Sequence, residues 1–480
     1  MAYKYDVIVV GAGPGGATCG ALLAKWGLKT LLLDKNERVG GKVMGLPVKG
    51  FQGEMGPVFG VGATGGAWFE AFSQLGIESK LNVIVKSTGT MYRRRGGEWE
   101  IPGMPDPLGT DAKEREIAQR VLSDMSALTP EQLDDLDNVS VLQFLKRYGD
   151  VPSPLYGYFA TMCNGLITSL IETVAMSEFV RVQRSLGTQG PSGYPKGGYG
   201  RMVEDMVEVL KASGGEVRTR AKIESIIVDN DRVTGVITKD RAFKAPIVVS
   251  NAGMHPTVFK LVGKEYFDKS YVNYVKDVLP SLGFTSVRYL LSRPVLPHGM
   301  YYVMTEDSWL DMERYNKLRA GEILGDLAIY MTIPSNHDPT MAPPGKQMLI
   351  LGTWCSPDPE AKEIKMLQKR TDELLAEIFP EVVPAIEAKI GYAGPAQVSS
   401  LSRDQVLPGL GGEAVGLAVT VGQCGKHKPS AKSPLPGLFY VGHDAGGGSR
   451  MGTQQAVDSG MKVAQMVLQY HLERKQAMWP

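Results

Sequence analysis

The sequence predicts a multidomain α/β protein in which apolar strands alternate with helices across glycine turns. Three observations lead there: an apolar strand running into a glycine turn and helix at the start, a second strand, glycine turn and helix near the C-terminus, and a central helix and strand block. The 480 residues exceed the about 250 to 300 at which a single core stops growing.

The first unit opens with the β-branched run Val7-Ile8-Val9-Val10, continues through Gly11-Ala12-Gly13-Pro14-Gly15-Gly16, and passes into the helical pattern ATCGALLAKWG. Gly11 permits the tight turn, Gly13 lets backbone approach a pyrophosphate, and Gly16 lets the helix pack on the strand. The helix N-terminus then offers unpaired N–H groups and its positive dipole end to phosphate. Lys29 to Leu33 reads as the second strand and ends at Asp34-Lys35. A carboxylate there, about twenty residues beyond the glycines, can take both ribose hydroxyls and repels a 2′-phosphate. At this point NAD, FAD and a glycine turn without ligand all remain open.

Further along come Gly40-Gly41-Lys42 and a second glycine turn, FQGEMGPVFG, with Gly56-Pro57 inside it. At the far end, Pro436 to Gly442 reads as a turn and buried strand, followed by His443-Asp444 and a glycine-rich stretch through Met451-Gly452. A helix is predicted from Thr453, with Ala456, Val457, Gly460, Val463 and Ala464 on one packed face. Midway, YPKGGYGR over 194–201 precedes a helix from Met202, strands over 216–238, and the run APIVVSNAG.

Together these blocks resemble, in family order along the whole chain, the phytoene desaturase-like branch of the FAD-dependent amine oxidase superfamily. The resemblance implies a Rossmann-like FAD-binding domain of the glutathione reductase/amine oxidase type over 1–82, 191–268 and 406–480, with a discontinuous α+β substrate domain over 83–190 and 269–405. It implies FAD as the cofactor, held at Gly11, Gly13, Pro14, Gly15, Gly16, Asp34, Lys35, Gly41, Lys42, Gly56, Pro57, Gly442, Met451 and Gly452. It also implies that Ile223 backbone touches adenine, Asp444 holds the ribityl or pyrophosphate region, and Thr453 backbone lies beside the pyrimidine edge. Lys42 stands where the family carries arginine; it keeps the charge and loses the two-pronged donor geometry.

In the substrate domain, a hairpin is predicted over Thr90 to Ile101 with its turn at Gly96-Gly97, then a helix over Val139 to Tyr148. Strands are predicted over 283–291, 327–333 and 348–354, and a helix over 360–378 to cover one side of the sheet. Met162 to Val180 suits an apolar helix, lining a cavity or resting on a membrane surface; the first is the expectation, and peripheral membrane contact stays the alternative. Arg93-Arg94-Arg95 is read as largely a solvated hairpin face rather than an anion site.

FAD chemistry asks the protein to exclude water, orient a C–H bond and move a proton. The resemblance implies dehydrogenation or reduction of a carbon–carbon bond in an apolar small-molecule substrate, such as a polyene or cyclic ketone. Reoxidation requires an electron acceptor that no motif specifies. Tyr199 and Arg201, just past the central glycines, and His427, in a loop before the last strand, are the catalytic candidates, each weighed against a structural role. Two alternatives stand beside this: a flavin amine oxidase, disfavoured because the C-terminal stretch offers His443, Ser449, Arg450 and Met451 rather than aromatic rings, and a binding protein of the Rab GDP-dissociation inhibitor type that uses no flavin. A formal net charge of +1 argues against nucleic acid as partner. Cys19, Cys163, Cys355 and Cys424 lack metal or disulfide spacing. They point to the cytoplasm, as does the absence of a charged leader before Val7.

Overall fold

The computed structural model describes residues 3–58, 60–86, 88–93, 99–100, 107–109, 111–305 and 307–477. Its first sheet collects β1 (Val7–Val10), β2 (Thr30–Leu33), β3 (Glu216–Arg218), β4 (Val248–Ser250) and β5 (Leu438–Tyr440), all parallel, in the order β5-β4-β1-β2-β3. β1, β2, β4 and β5 are buried at every residue, which is why they read as unbroken apolar runs rather than as alternation.

The two faces of this sheet carry different cover. Val7, Val9 and Leu32 pack against α1 (Pro14–Lys25), α2 (Gly198–Ala212) and α3 (Gly452–Ala477). Ile8, Val10, Leu31 and Leu33 pack against a three-stranded antiparallel sheet of Ile223–Asp229, Arg232–Thr238 and Ala242–Lys244. α1 crosses α3 closely because Gly460 has no side chain; a Cβ there would sit 2.6 Å from Thr18 Cβ and 2.7 Å from Gly15 O.

A second, seven-stranded sheet runs Ile386–Ala393, Gly283–Leu291, Gln347–Cys355, Ile329–Thr332, Met300–Thr305, Thr88–Arg93, Trp99–Glu100. Only the 300–305 and 88–93 strands pair in parallel. Leu374 and Leu375 of helix Glu363–Ile378 cover it. The two hairpin strands pair antiparallel through Tyr92 with Glu100 and Arg93 with Trp99. The predicted Gly96-Gly97 turn, and the Arg93-Arg94-Arg95 run beyond Arg93, lie outside the described residues.

The single apolar helix expected across Met162 to Val180 is two helices, Ser153–Ile167 and Met176–Gly187. The first stops at Thr168, which takes a left-handed conformation with φ of 54°, and Thr173 and Val174 turn back onto the Leu170 carbonyl. The predicted helix over 139–148 is a short helix, Val141–Leu145, tightened into a final turn at 146–148. No described helix is long and apolar enough to cross a membrane.

Candidate functional site

The chain leaves β1 at Gly11, whose φ of 93° is reached without strain only by glycine. α1 starts three residues later with Pro14 in its first turn. The glycines after the strand are fixed by contact. A Cβ on Gly16 would lie 2.0 Å from Gly11 O, and one on Gly15 would lie 2.8 Å from Gly442 Cα, so the two ends of the chain meet at the turn. Asn251, just past β4, ties this junction together: with its side-chain amide oriented to satisfy both neighbours, the oxygen accepts from Gly13 N at 3.2 Å and the nitrogen donates to Val441 O at 3.1 Å. Sequence reasoning missed Asn251, although its place directly after a buried strand was a signal.

At the end of β2, Asp34 accepts from Ala12 N and from Asn36 N, each at 2.7 Å. Burial pushes its carboxyl up, and those N–H groups act against the rise. Lys35 turns to Asp404, 2.8 Å away, which also pairs with Lys260. Lys42 lies in the short turn after Gly41, and its Nζ is buried with no hydrogen-bond partner among the described residues. Burial, then the nearby Arg403 charge, lowers its pKa to about 7. An ammonium without acceptors is costly to bury, and the Nζ is left with its donors unused.

Asp444 is enclosed. Its Oδ1 accepts from Arg403 Nη1 and Leu417 N at 2.8 and 3.0 Å, and its Oδ2 from Arg403 Nη2 and Met254 N at 2.8 and 2.9 Å. Burial pushes the carboxyl up, but Arg403 and the two N–H groups hold it well below the usual range. Arg403 Nε also lies 3.0 Å from Glu413 Oε2, a charge contact rather than an aligned hydrogen bond. Four protein donors thus surround the Asp444 carboxylate, and its ion pair fixes the Arg403 guanidinium. Arg403, in an irregular stretch far from every motif, was not legible in the sequence.

α3 begins at Gly452, and its first turn is anchored from the side: Trp68 Nε1 donates to Thr453 Oγ1 at 3.1 Å, and Ala67 N donates to Gln454 Oε1 at 2.7 Å. Helix starts carry unsatisfied N–H groups and a partial positive charge. Just before it, Arg450 donates to Glu70 at 2.8 Å and keeps Nη1 buried without a hydrogen-bond partner among the described residues. His443 has both ring nitrogens buried and unpartnered among the described residues; burial and then the Lys428 charge push its pKa down to about 3, so the ring is neutral near pH 7.

Asn251, Asp34, Lys42, Arg403, Asp444, His443, Arg450 and Thr453 border one cavity of about 430 Å³, within the usual range for small-molecule and cofactor sites. Gly11, Gly13, Pro14, Gly15, Asp34, Lys35, Gly41, Lys42 and Ile223 line its nucleotide end, and Gly56, Pro57, Gly442, Asp444, Met451, Gly452 and Thr453 continue it; Gly16 lies behind, in the turn itself. The opposite walls come from Met55, Val58, Leu166, Val182, Leu186, Phe284 and Trp354.

The three catalytic candidates are not there. Tyr199 is fully buried inside the helical layer, edge-on to Trp68 with ring centroids 6.4 Å apart, because the second residue of α2 faces the sheet. Arg201, two residues on, faces outward and pairs with Glu204, Asp205 and Glu208. His427 is exposed in a short turn. None of the three lines the cavity. Among the described residues, no cluster of His, Cys, Asp or Glu suits a metal ion.

Residues 15–468 match the family described as flavin containing amine oxidoreductase. The chain is similar to the chloroplastic prolycopene isomerase of Arabidopsis thaliana, 28% identical over 42% of this chain and 34% of that protein. It is also similar to the 4,4'-diapophytoene desaturase (4,4'-diapolycopene-forming) of Methylomonas sp, 25% identical over 73% of each chain. Among solved structures, an oxidoreductase from Methanosarcina mazei superposes with a TM-score of 0.72 at 20% identity, covering 96% of this chain and 99% of that one. That last similarity is one of fold.

Proposed function

Because the chain belongs to the flavin containing amine oxidoreductase family, we propose that it desaturates, or in reverse saturates, a carbon–carbon bond of an apolar substrate such as a polyene or cyclic ketone. The observation that carries this is the charge distribution in the cavity. Its lining carboxylates are Asp34, Asp404 and Asp444. Asp34 is bonded to two backbone N–H groups, Asp404 is paired with Lys35 and Lys260, and Asp444 with Arg403. Asp404 and Asp444 are already spent on cations and Asp34 lies at the nucleotide end, so a substrate ammonium at the apolar walls would find no carboxylate among the described lining residues, and a buried charge without a partner is expensive. Leu166, Val182, Leu186, Phe284 and Trp354 suit a hydrocarbon instead.

FAD, the family's cofactor, supplies the two-electron exchange. The residues present fit it: Lys42 would hold the pyrophosphate with its otherwise orphaned ammonium, and Gly13 and Gly41, packed against each other without side chains, line the cavity with backbone. Asp34 would take ribose hydroxyls through the remaining lone pairs of its two oxygens. The start of α3 would place positive potential at the ring system, favouring negative charge there. The apolar walls would exclude water from the reacting C–H bond and orient it. The intact Gly11, Gly13, Gly16 and Asp34 argue against the binding-only alternative that dispenses with flavin.

The test is anaerobic mixing of the holoenzyme with panels of polyenes, cyclic ketones and primary amines while the visible flavin band is followed. Bleaching by an apolar carbon–carbon substrate supports the reading. Bleaching by amines alone would overturn it.

A further inference from the structure

Trp354 lines the main cavity and also a second, smaller one of about 30 Å³. It sits on the strand Gln347–Cys355 and is only 7% exposed. Its ring is fixed in an aromatic cluster, edge-on to Phe284 with centroids 4.9 Å apart at 84°, and to Tyr330 at 5.4 Å and 69°. Phe284 lines the main cavity as well. The smaller cavity is bordered by Leu310, Leu318, Leu327 and Ala328. Arg314 also borders it, but its guanidinium is spent on the Asp307 and Trp309 carbonyls and lies over the Trp309 ring at 4.1 Å. What lies behind Trp354 is a mostly apolar space, with Ser308, Asp326 and Thr353 also on its border, and it has room for only a few small atoms.

We propose that Trp354 is the end wall of the substrate channel and sets the length of apolar chain the enzyme accepts, an inference that rests on the apolar-substrate reading above. With the indole in place, a hydrocarbon reaching the Phe284–Trp354 wall goes no further. A smaller side chain joins the two cavities and adds length at that end alone. The nucleotide end is lined by other residues and is untouched, so the change is one of specificity rather than of cofactor binding.

The experiment uses wild-type, Trp354→Leu and Trp354→Phe holoenzymes, titrated with β-ionone, β-ionylidene acetaldehyde and retinal as polyenes lengthened by a few carbons at a time, with binding read from perturbation of the visible flavin spectrum. Trp354→Leu is expected to tighten the longest probe that wild type binds poorly by about tenfold or more relative to β-ionone, with Trp354→Phe intermediate. Trp354→Phe keeps a ring in the Phe284–Tyr330 cluster and carries the comparison if the leucine variant does not retain flavin. An equal change for all three probes in a variant of unchanged flavin content would overturn the end-wall role while leaving the apolar reading standing. Wild-type enzyme that binds none of the three polyenes would sink both.

Discussion

Replacing Lys42 with methionine is expected to move the flavin-free and flavin-loaded proteins in opposite directions. Without flavin, the buried Nζ has no hydrogen-bond partner among the described residues, an omission that costs about 1 to 3 kcal/mol. Its pKa falls from 10.5 to about 7, so between those values the unfolded chain binds a proton that the folded chain does not. Stability of the flavin-free wild type therefore rises with pH across that window, and the full penalty is present below it. Methionine keeps the packing and removes the penalty, so the flavin-free variant gains stability near pH 7 and below. With flavin bound, the same ammonium donates to pyrophosphate, and a charge-assisted bond of about 1.5 to 3 kcal/mol is lost, roughly a ten- to hundredfold weaker affinity. Wild-type affinity also falls as pH rises from about 7, because binding favours the protonated amine, whereas the variant's affinity stays flat. Thermal melts of flavin-free protein and FAD titrations across that pH range read both effects. A variant less stable without flavin, or one with wild-type affinity and pH dependence, would refute the reasoning.

Arg403→Ala leaves Asp444 and Glu413 buried without their cation, and a loss of about 3 to 5 kcal/mol is expected, measured by denaturant unfolding. The Asp444 carboxyl, held well below its usual range, contributes stability above its unfolded pKa of about 3.9 and loses it as pH falls further; Asp444→Asn is expected to flatten that acid limb in melts taken at falling pH. Gly16→Ala would force a Cβ to 2.0 Å from Gly11 O, and the backbone shift required is expected to cost about 1 to 3 kcal/mol or more and to lower flavin content after purification. Arg201→Ala and His427→Ala lie off the cavity on the surface, so turnover is expected to stay within about twofold of wild type; a hundredfold loss in either would support its catalytic role.

The glycine turn, Asp34 and the start of α3 were legible because each function lies within a few residues of the pattern that encodes it: a strand, the positive φ at Gly11, a helix N-terminus. The tie between Gly15 and Gly442 was legible only as two motifs, since their contact depends on β5 lying two strands from β1. Arg403 was invisible because its partners Asp444 and Glu413 come from other stretches and no local periodicity marks it. The placement of Tyr199 and Arg201 was hidden for the opposite reason. They sit inside a recognisable block, but the helix phase of α2 turns one into the core and the other to solvent. Thr168 broke an apolar run that hydrophobicity alone reads as continuous, because a single left-handed residue ends a helix without any change in composition.

The mass of the product formed from a polyene under turnover tests the central claim most directly. A carbon–carbon oxidoreductase yields a product that has lost or gained two hydrogens, with matching oxidation or reduction of the flavin. A product of unchanged mass would contradict the account and indicate isomerisation instead.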